Sequence, residues 1–287
     1  MIKLIACDMD GTLLDGEGLV PPETFGLIRE LAEVGVRFCV SSGRDHPLLL
    51  DNFAPVADEM DYVCANGAEV YVAGECLQEE FYSVEAVRRV AEVTNLFDAH
   101  HLFLASEEGI LCCDDTQEKF DRLLPLLETR NDGDLVHAQR RVPRPGERVT
   151  TGWFITELPH EIQDFAYVLN LELGDLFTFN YTNVGMDFST KGITKATGIA
   201  KVMAHYGLSA DEVMAYGDSM NDYEILREVG HPTVVANAFY PPKQVSERVV
   251  ESNLEHGVQR DLRRVIDDIR AGGSGVPAFD ASEGARA

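Results

Sequence analysis

The stretch Ile2-Lys3-Leu4-Ile5-Ala6-Cys7-Asp8-Met9-Asp10-Gly11-Thr12-Leu13-Leu14 decides the fold of this chain. An apolar run typical of a buried strand ends on two carboxylates one residue apart, and Gly11-Thr12 then turns the backbone. Because side chains alternate along a strand, Asp8 and Asp10 are predicted to lie on the same side, at the strand's carboxyl end.

Two carboxylates held this close repel each other unless they bind a cation or share a proton. Mg²⁺ suits the pair, because it takes few carboxylates and leaves positions for water and phosphate oxygens. One Asp can then serve as a nucleophile and the other as a general acid/base. The same pattern also occurs in calcium loops and plain turns, but EF-hand loops need further oxygen ligands and a closing Glu. The apolar run before Asp8 therefore favours the catalytic interpretation.

The composition is that of a globular protein with an acidic surface. The 287 residues are 45% hydrophobic, and the formal net charge is −25. This charge repels nucleic acid and anionic membranes, so neither is an expected partner. No apolar run is long enough to span a bilayer and no signal-peptide layout is present, so we expect a cytoplasmic protein. The six cysteines show no CxxC pair and no metal spacing with His, and we expect them to be reduced.

Strand–helix alternation before residue 66 and after residue 195 predicts an α/β fold with a doubly wound parallel sheet. Mixed strand and helix signals between them indicate an inserted α+β domain. We expect a core of residues 1–79 and 189–270, an inserted domain of 80–188, and a disordered tail of 271–287. The predicted helices cover 23–34, 84–93, 195–206, 222–229 and 257–269, and the predicted core strands cover 36–41, 62–65, 212–216 and 233–236.

Ser42 and Gly43 follow the second predicted strand, where a hydroxyl and open N–H groups suit phosphate oxygens. Such loops are also common without a ligand. Lys195 starts a predicted helix, where a cation opposes the helix dipole unless it holds an anion. This placement favours a functional Lys195, with Lys191 as the rival candidate and a solvated lysine as the plain alternative.

Asp218 and Asp222 lie in one turn after the strand predicted at 212–216. Helix N-capping explains one of these acids but not both. Together with Asp8 and Asp10 they would place four carboxylates around one point, an arrangement that calls for a metal ion.

In this order the segments resemble the four motifs of the haloacid dehalogenase (HAD) superfamily. They are Asp8-Met9-Asp10-Gly11-Thr12, Ser42, Lys195 and Gly217-Asp218-Ser219-Met220-Asn221-Asp222. Further stretches resemble the Cof-type phosphatase branch, which has a HAD-like Rossmannoid core and a large type C2B cap; they are Ser42-Gly43-Arg44, Cys64-Ala65-Asn66-Gly67-Ala68, Gly192-Ile193-Thr194-Lys195, Ala236-Asn237-Ala238 and Ser252-Asn253-Leu254-Glu255-His256-Gly257-Val258. Two mild departures are Ser42, where Thr is frequent, and Ala196, where Gly is usual.

The resemblance implies a Mg²⁺-dependent phosphatase acting on a small-molecule phosphomonoester, such as a sugar phosphate or phosphorylated cofactor. Asp8 would be the nucleophile and Asp10 the general acid/base, with Lys195 as a further catalytic residue. Asp8, the Asp10 carbonyl and Asp218 would hold the metal. Asp222 would orient Lys195, with Thr12 also supporting the site, and the phosphate oxygens would be bound by Met9, Ser42, Gly43, Lys195 and Asn221.

Two other functions stay open at this point. A phosphotransferase or mutase of the same superfamily, such as phosphomannomutase, would pass the phosphoryl group to a sugar hydroxyl. A non-catalytic metabolite-binding module would keep the fold alone, but the presence of both Asp8 and Asp10 counts against it. The sequence leaves the oligomeric state undetermined.

The segment 140–148 is locally basic in an acidic chain. Its arginines suit recognition of a substrate anion. The plain alternative is a solvated loop that balances nearby acids. The residues concerned are Arg140, Arg141, Arg144 and Arg148.

Overall fold

The computed structural model describes residues 1–129, 133–181 and 186–277. The chain forms two compact units, one made of residues 1–79 and 194–287 and the other of residues 80–193. Strands and helices alternate before residue 66 and after residue 195 of the first unit, as predicted, and two consecutive strands, Glu69–Val72 and Glu75–Glu79, lie between these segments. Its elements are β1 (Leu4–Cys7), α1 (Glu23–Glu33), β2 (Arg37–Ser41), α2 (His46–Asn52), β3 (Asp61–Cys64), β4 (Glu69–Val72), β5 (Glu75–Glu79), α6 (Lys195–Tyr206), β12 (Val213–Gly217), α7 (Tyr223–Glu228), β13 (His231–Val235), α8 (Tyr240–Val245), β14 (Arg248–Val250) and α9 (Gly257–Arg270).

The first unit is built on an eight-stranded sheet with the order β14-β13-β12-β1-β2-β3-β4-β5. Six neighbouring strands are parallel, and β4 and β5 add an antiparallel hairpin at one edge. The central strand β1 is fully buried between β2 and β12, which explains its uninterrupted apolar run. The predicted α/β class with a doubly wound sheet is confirmed.

The second unit has a six-stranded sheet with the order β10-β11-β9-β6-β7-β8. Two apolar clusters are present, one containing residues of helices α3 and α5 and the other residues of α4. The elements are α3 (Val84–Thr94), β6 (His100–Ser106), β7 (Gly109–Cys112), α4 (Gln117–Thr129), β8 (Gln139–Arg140), β9 (Val149–Thr156), α5 (Ile162–Leu173), β10 (Phe177–Tyr181) and β11 (Met186–Thr190).

Two expected boundaries differ from the structure. The chain returns to the first unit at residue 194 rather than 189, because β11 pairs with β9 and β10 and runs to Thr190. The start of the expected disordered tail is ordered: Ile2 N–H donates to the Ser274 carbonyl at 2.8 Å, and Val276 packs against the core. Residues 278–287 of that tail lie outside the described residues. Among the described residues, no helix is long and apolar enough to cross a membrane.

Candidate active site

Asp8 follows β1 directly and lies at the carboxyl edge of the sheet. Its N–H donates to the Tyr216 carbonyl of β12 at 3.0 Å, so the strand pairing fixes its position. The chain then turns, and the Met9 carbonyl accepts the N–H groups of Thr12, Leu13 and Leu14. Gly11 has φ +83°, and a β-carbon there would lie 2.6 Å from Asp218 Oδ2, so only glycine fits.

Lys195 is the first residue of α6, and its side chain is fully buried. Its Nζ donates to Asp8 Oδ1 at 2.5 Å and to Asp222 Oδ1 at 2.7 Å. Burial alone would lower the pKa of this ammonium, but the Asp222 and Asp8 carboxylates outweigh burial and raise it. The rival Lys191 is exposed and belongs to the second unit, so the geometry favours Lys195.

Asp218 and Asp222 occupy the turn that follows β12. Asp222 Oδ2 accepts the N–H groups of Asp218 and Ser219, and Oδ1 accepts from Lys195, so both oxygens are engaged. This bonding suits the predicted orienting role. Thr12 donates its hydroxyl to Asp218 Oδ1 at 3.3 Å. Burial, followed by repulsion from Asp222, raises the pKa of Asp218 to about 7.

One oxygen from each of Asp8, Asp218 and Asp222 lies within 4.8 Å of the others, and all three residues are buried. Burial and the nearby Asp222 charge also raise the pKa of Asp8 well above its usual range. Lys195 pairs with Asp8 and Asp222. Because Mg²⁺ is bound in proteins through one or two carboxylates together with water and phosphate oxygens, Asp8 and Asp218 fit this metal.

Asp10 lies outside this cluster, contrary to the expectation of four converging carboxylates. Strand β1 ends at Cys7, so the alternation on which that expectation rested does not extend to Asp10. Its carboxylate is half exposed and accepts two bonds from Arg44, at 2.7 Å from Nη2 and 3.1 Å from Nε. Arg44 Nη1 donates to Asn52 Oδ1 at 2.9 Å. Sequence reasoning noted Arg44 only within a resembling stretch and missed this contact.

Two predicted phosphate-binding residues, Ser42 through its backbone and Asn221 through its side chain, both bond to Asn66. The Asn66 N–H donates to the Ser42 carbonyl at 2.9 Å, and Asn221 Nδ2 donates to Asn66 Oδ1 at 3.2 Å. Ala65, Asn66 and Gly67 all have positive φ. This strained turn passes so close to α6 that a β-carbon on Gly67 would lie 2.1 Å from the Thr194 carbonyl oxygen. The Asn-Gly dipeptide was the available sequence signal for this turn.

The arginines of segment 140–148 are bonded within the second unit. Arg141 forms short ion pairs with Glu147 at 2.7 Å and Glu108 at 3.0 Å. Arg144 pairs with Glu108 at 2.7 Å, and Arg148 pairs with Glu107 at 3.0 Å. Arg140 Nη1 donates to the carbonyls of Asp114 and Asp115. These contacts favour the balancing of nearby acids over recognition of a substrate.

Comparison with known proteins identifies one family of hydrolases. A family model described as haloacid dehalogenase-like hydrolase matches residues 5–262. YbjI of Escherichia coli (strain K12) is 27% identical over 272 residues, and YcsE of Bacillus subtilis (strain 168) is 27% identical over 268 residues. Each alignment covers 92% of this chain and 96% of the relative, and both relatives are named 5-amino-6-(5-phospho-D-ribitylamino)uracil phosphatase. The solved structure of SMU.1108c from Streptococcus mutans UA159 has a TM-score of 0.79 at 23% identity, covering 94% of this chain and 100% of that chain.

Proposed function

The chain belongs to the haloacid dehalogenase-like hydrolase family, and on that premise we propose that it is a Mg²⁺-dependent phosphatase of small phosphomonoesters that works through an aspartyl-phosphate on Asp8. The observation that carries the proposal is the buried Lys195 ammonium between Asp8 and Asp222, with Asp218 beside them. Phosphoryl transfer depends mainly on positioning and on neutralising charge, and this arrangement supplies both.

In the first half-reaction, a carboxylate oxygen of Asp8 attacks phosphorus and the bond from phosphorus to the leaving oxygen breaks. Asp10 gives that oxygen a proton. In the second half-reaction, water attacks phosphorus while Asp10 takes its proton, and the bond to Asp8 breaks. Lys195 holds Asp8 in place throughout and offsets charge on the phosphate.

Asp10 in this structure accepts one bond from Arg44 at each carboxylate oxygen. Its contact with a leaving oxygen or a water therefore requires the pair with Arg44 to open. Mg²⁺, when bound by Asp8, the Asp10 carbonyl and Asp218, would supply positive charge for the phosphate oxygens. Ser42, Gly43, Asn221 and the Met9 segment are the proposed further contacts for those oxygens.

The substrate class we propose is a small phosphorylated metabolite, such as a sugar phosphate or a phosphorylated cofactor precursor. The names of YbjI and YcsE, which specify a phosphoribityl compound, support this class. The net charge of −25 disfavours polyanionic partners such as nucleic acid.

A panel of phosphorylated metabolites incubated with the protein and Mg²⁺ tests the proposal. We expect inorganic phosphate to appear in solution, and hydroxylamine to trap an acyl-phosphate on Asp8. Asp8→Asn should abolish both signals and keep the fold, while the exposed control Asp58→Asn should keep full activity. Transfer of phosphate to a second sugar would indicate a mutase. Absence of any acyl-phosphate would overturn the mechanism.

A further inference from the structure

The loop between β13 and α8 holds both acidic turns of the candidate site. Asn237 Nδ2 donates to the Gly11 carbonyl at 2.7 Å, and two residues later the Phe239 N–H donates to the Asp218 carbonyl at 2.8 Å. We infer that Asn237 is a positioning residue that fixes the Asp10–Gly11 turn against Asp218. This inference rests on the proposed function, because it assigns Asn237 to the same reaction.

The orientation of the Asn237 amide is set by a second contact. The Asn253 N–H donates to Asn237 Oδ1 at 3.1 Å, which leaves the Nδ2 end to face Gly11. Asn253 Nδ2 also donates to the Leu14 carbonyl at 2.9 Å. The side-chain amides of Asn237 and Asn253, which lie more than 200 residues further along the chain, therefore hold two carbonyls of one short turn.

The Gly11 carbonyl that accepts from Asn237 lies between two groups of the candidate site. It belongs to the peptide that joins Gly11 to Thr12, with Asp10 on one side and the Thr12 hydroxyl bonded to Asp218 on the other. Gly11 also packs directly against the Asp218 carboxylate. A shift of this peptide would move the proton-transfer group relative to a proposed metal ligand. A displacement near 1 Å at a catalytic group typically costs about 10²-fold in rate.

Asn237 is itself exposed, so its loss should affect catalysis more than stability. The variant Asn237→Asp keeps an acceptor for the Asn253 N–H and places an oxygen against the Gly11 carbonyl. The variant Asn237→Ala removes both contacts. A matched control is Asn170→Ala, because Asn170 is also exposed and its Nδ2 donates to a carbonyl, that of Ala166, at 2.8 Å in the second unit.

Steady-state kinetics with p-nitrophenyl phosphate and Mg²⁺ form the first arm of the test. We expect both Asn237 variants to lower kcat by roughly 10- to 100-fold, with KM changed less than about threefold, because the ground-state phosphate contacts remain. Asn170→Ala should stay within about twofold of the unaltered chain. An unchanged kcat in both Asn237 variants, or a loss confined to KM, would overturn the inference.

Amide hydrogen exchange without substrate forms the second arm and needs no turnover. The N–H groups of Thr12, Leu13 and Leu14 all bond to the Met9 carbonyl, and we expect them to exchange at least about tenfold faster in Asn237→Ala at unchanged melting temperature. Unchanged exchange would overturn the inference whatever the kinetics. If the unaltered chain releases no phosphate, the proposed function fails, and the exchange result alone decides whether Asn237 holds the turn.

Discussion

Replacing Asp261 by Ala should strongly destabilise the first unit, because Asp261 is a fully buried carboxylate with two close partners. It accepts from Arg248 Nη2 at 2.5 Å and from the Tyr216 hydroxyl at 2.7 Å. The Arg248 side chain is 9% exposed, so its charge would remain buried without this partner.

The size of the effect follows from these contacts. Breaking a buried ion pair from one side costs about 3–5 kcal/mol, and an unsatisfied buried hydroxyl costs about 1–3 kcal/mol. The two losses share Asp261, so they overlap, and we expect about 4–6 kcal/mol in total. For a unit of about 150–250 residues, each kcal/mol lowers the melting temperature by roughly 2–4 °C, which gives a fall of about 8–24 °C.

Differential scanning calorimetry is the appropriate measurement, because Trp153, the only tryptophan of the chain, lies in the second unit. The control Asp267→Ala removes an exposed carboxylate from the same helix and should change stability by less than about 0.5 kcal/mol. The double variant Arg248→Met/Asp261→Leu replaces the pair with apolar volume and should recover the part of the loss that comes from the unpaired Arg248 charge, while the Tyr216 hydroxyl still lacks its acceptor. A loss below about 1 kcal/mol for Asp261→Ala, or no recovery in the double variant, would refute the reasoning.

Three further predictions concern metal, pH and the basic segment. EDTA should abolish phosphatase activity and Mg²⁺ should restore it, and full activity after thorough chelation would contradict the metal requirement. Calorimetric titration should show that Asp218→Ala binds Mg²⁺ at least tenfold more weakly than the unaltered chain. Burial, with repulsion from Asp45 and Glu79, raises the pKa of Glu69 to about 7. The folded state therefore binds this proton more tightly than the unfolded state, so the contribution of protonated Glu69 to stability is complete below pH 4.5 and is lost as the pH rises through about 7. Urea unfolding at pH 8 should therefore show Glu69→Gln to be more stable by roughly 2 kcal/mol, a gain absent at pH 4 and absent in the exposed control Glu75→Gln. Arg144→Ala should leave KM unchanged for both p-nitrophenyl phosphate and a sugar phosphate, because Arg144 pairs with the exposed Glu108. A rise in KM for the sugar phosphate alone would instead support recognition of the substrate by this arginine.

Much of the core fold could be predicted from the sequence, because its signals are local. Apolar runs that end at polar turns indicated parallel strands, and helical spacing predicted helices whose observed bounds are Glu23–Glu33 and Lys195–Tyr206. The order of short motifs along the chain also predicted that Asp8, Lys195, Asp218 and Asp222 belong to one active site. Strand ends in a parallel sheet meet at one edge, so Asp8, Asp218 and Asp222 had to converge once the sheet formed. Lys195 begins a helix that follows β11 of the second unit, so its arrival at this edge did not follow from the sheet.

The arrangement of partners within the site depended on the tertiary structure. The bonds from Arg44 to Asp10, from Asn221 to Asn66 and from Asn237 to Gly11 join residues separated by 34, 155 and 226 positions. Local patterning is blind to such contacts, because a hydrogen bond is selected by distance and angle after packing. Alternation along β1 placed Asp10 beside Asp8, but the strand ends at Cys7 and Asp10 bonds to Arg44 instead. The sequence by itself determined the central parallel strands, the longer helices and the set of acids at the strand ends. Only the tertiary structure decided which cation each acid meets, because ion pairing depends on the few ångströms between side chains.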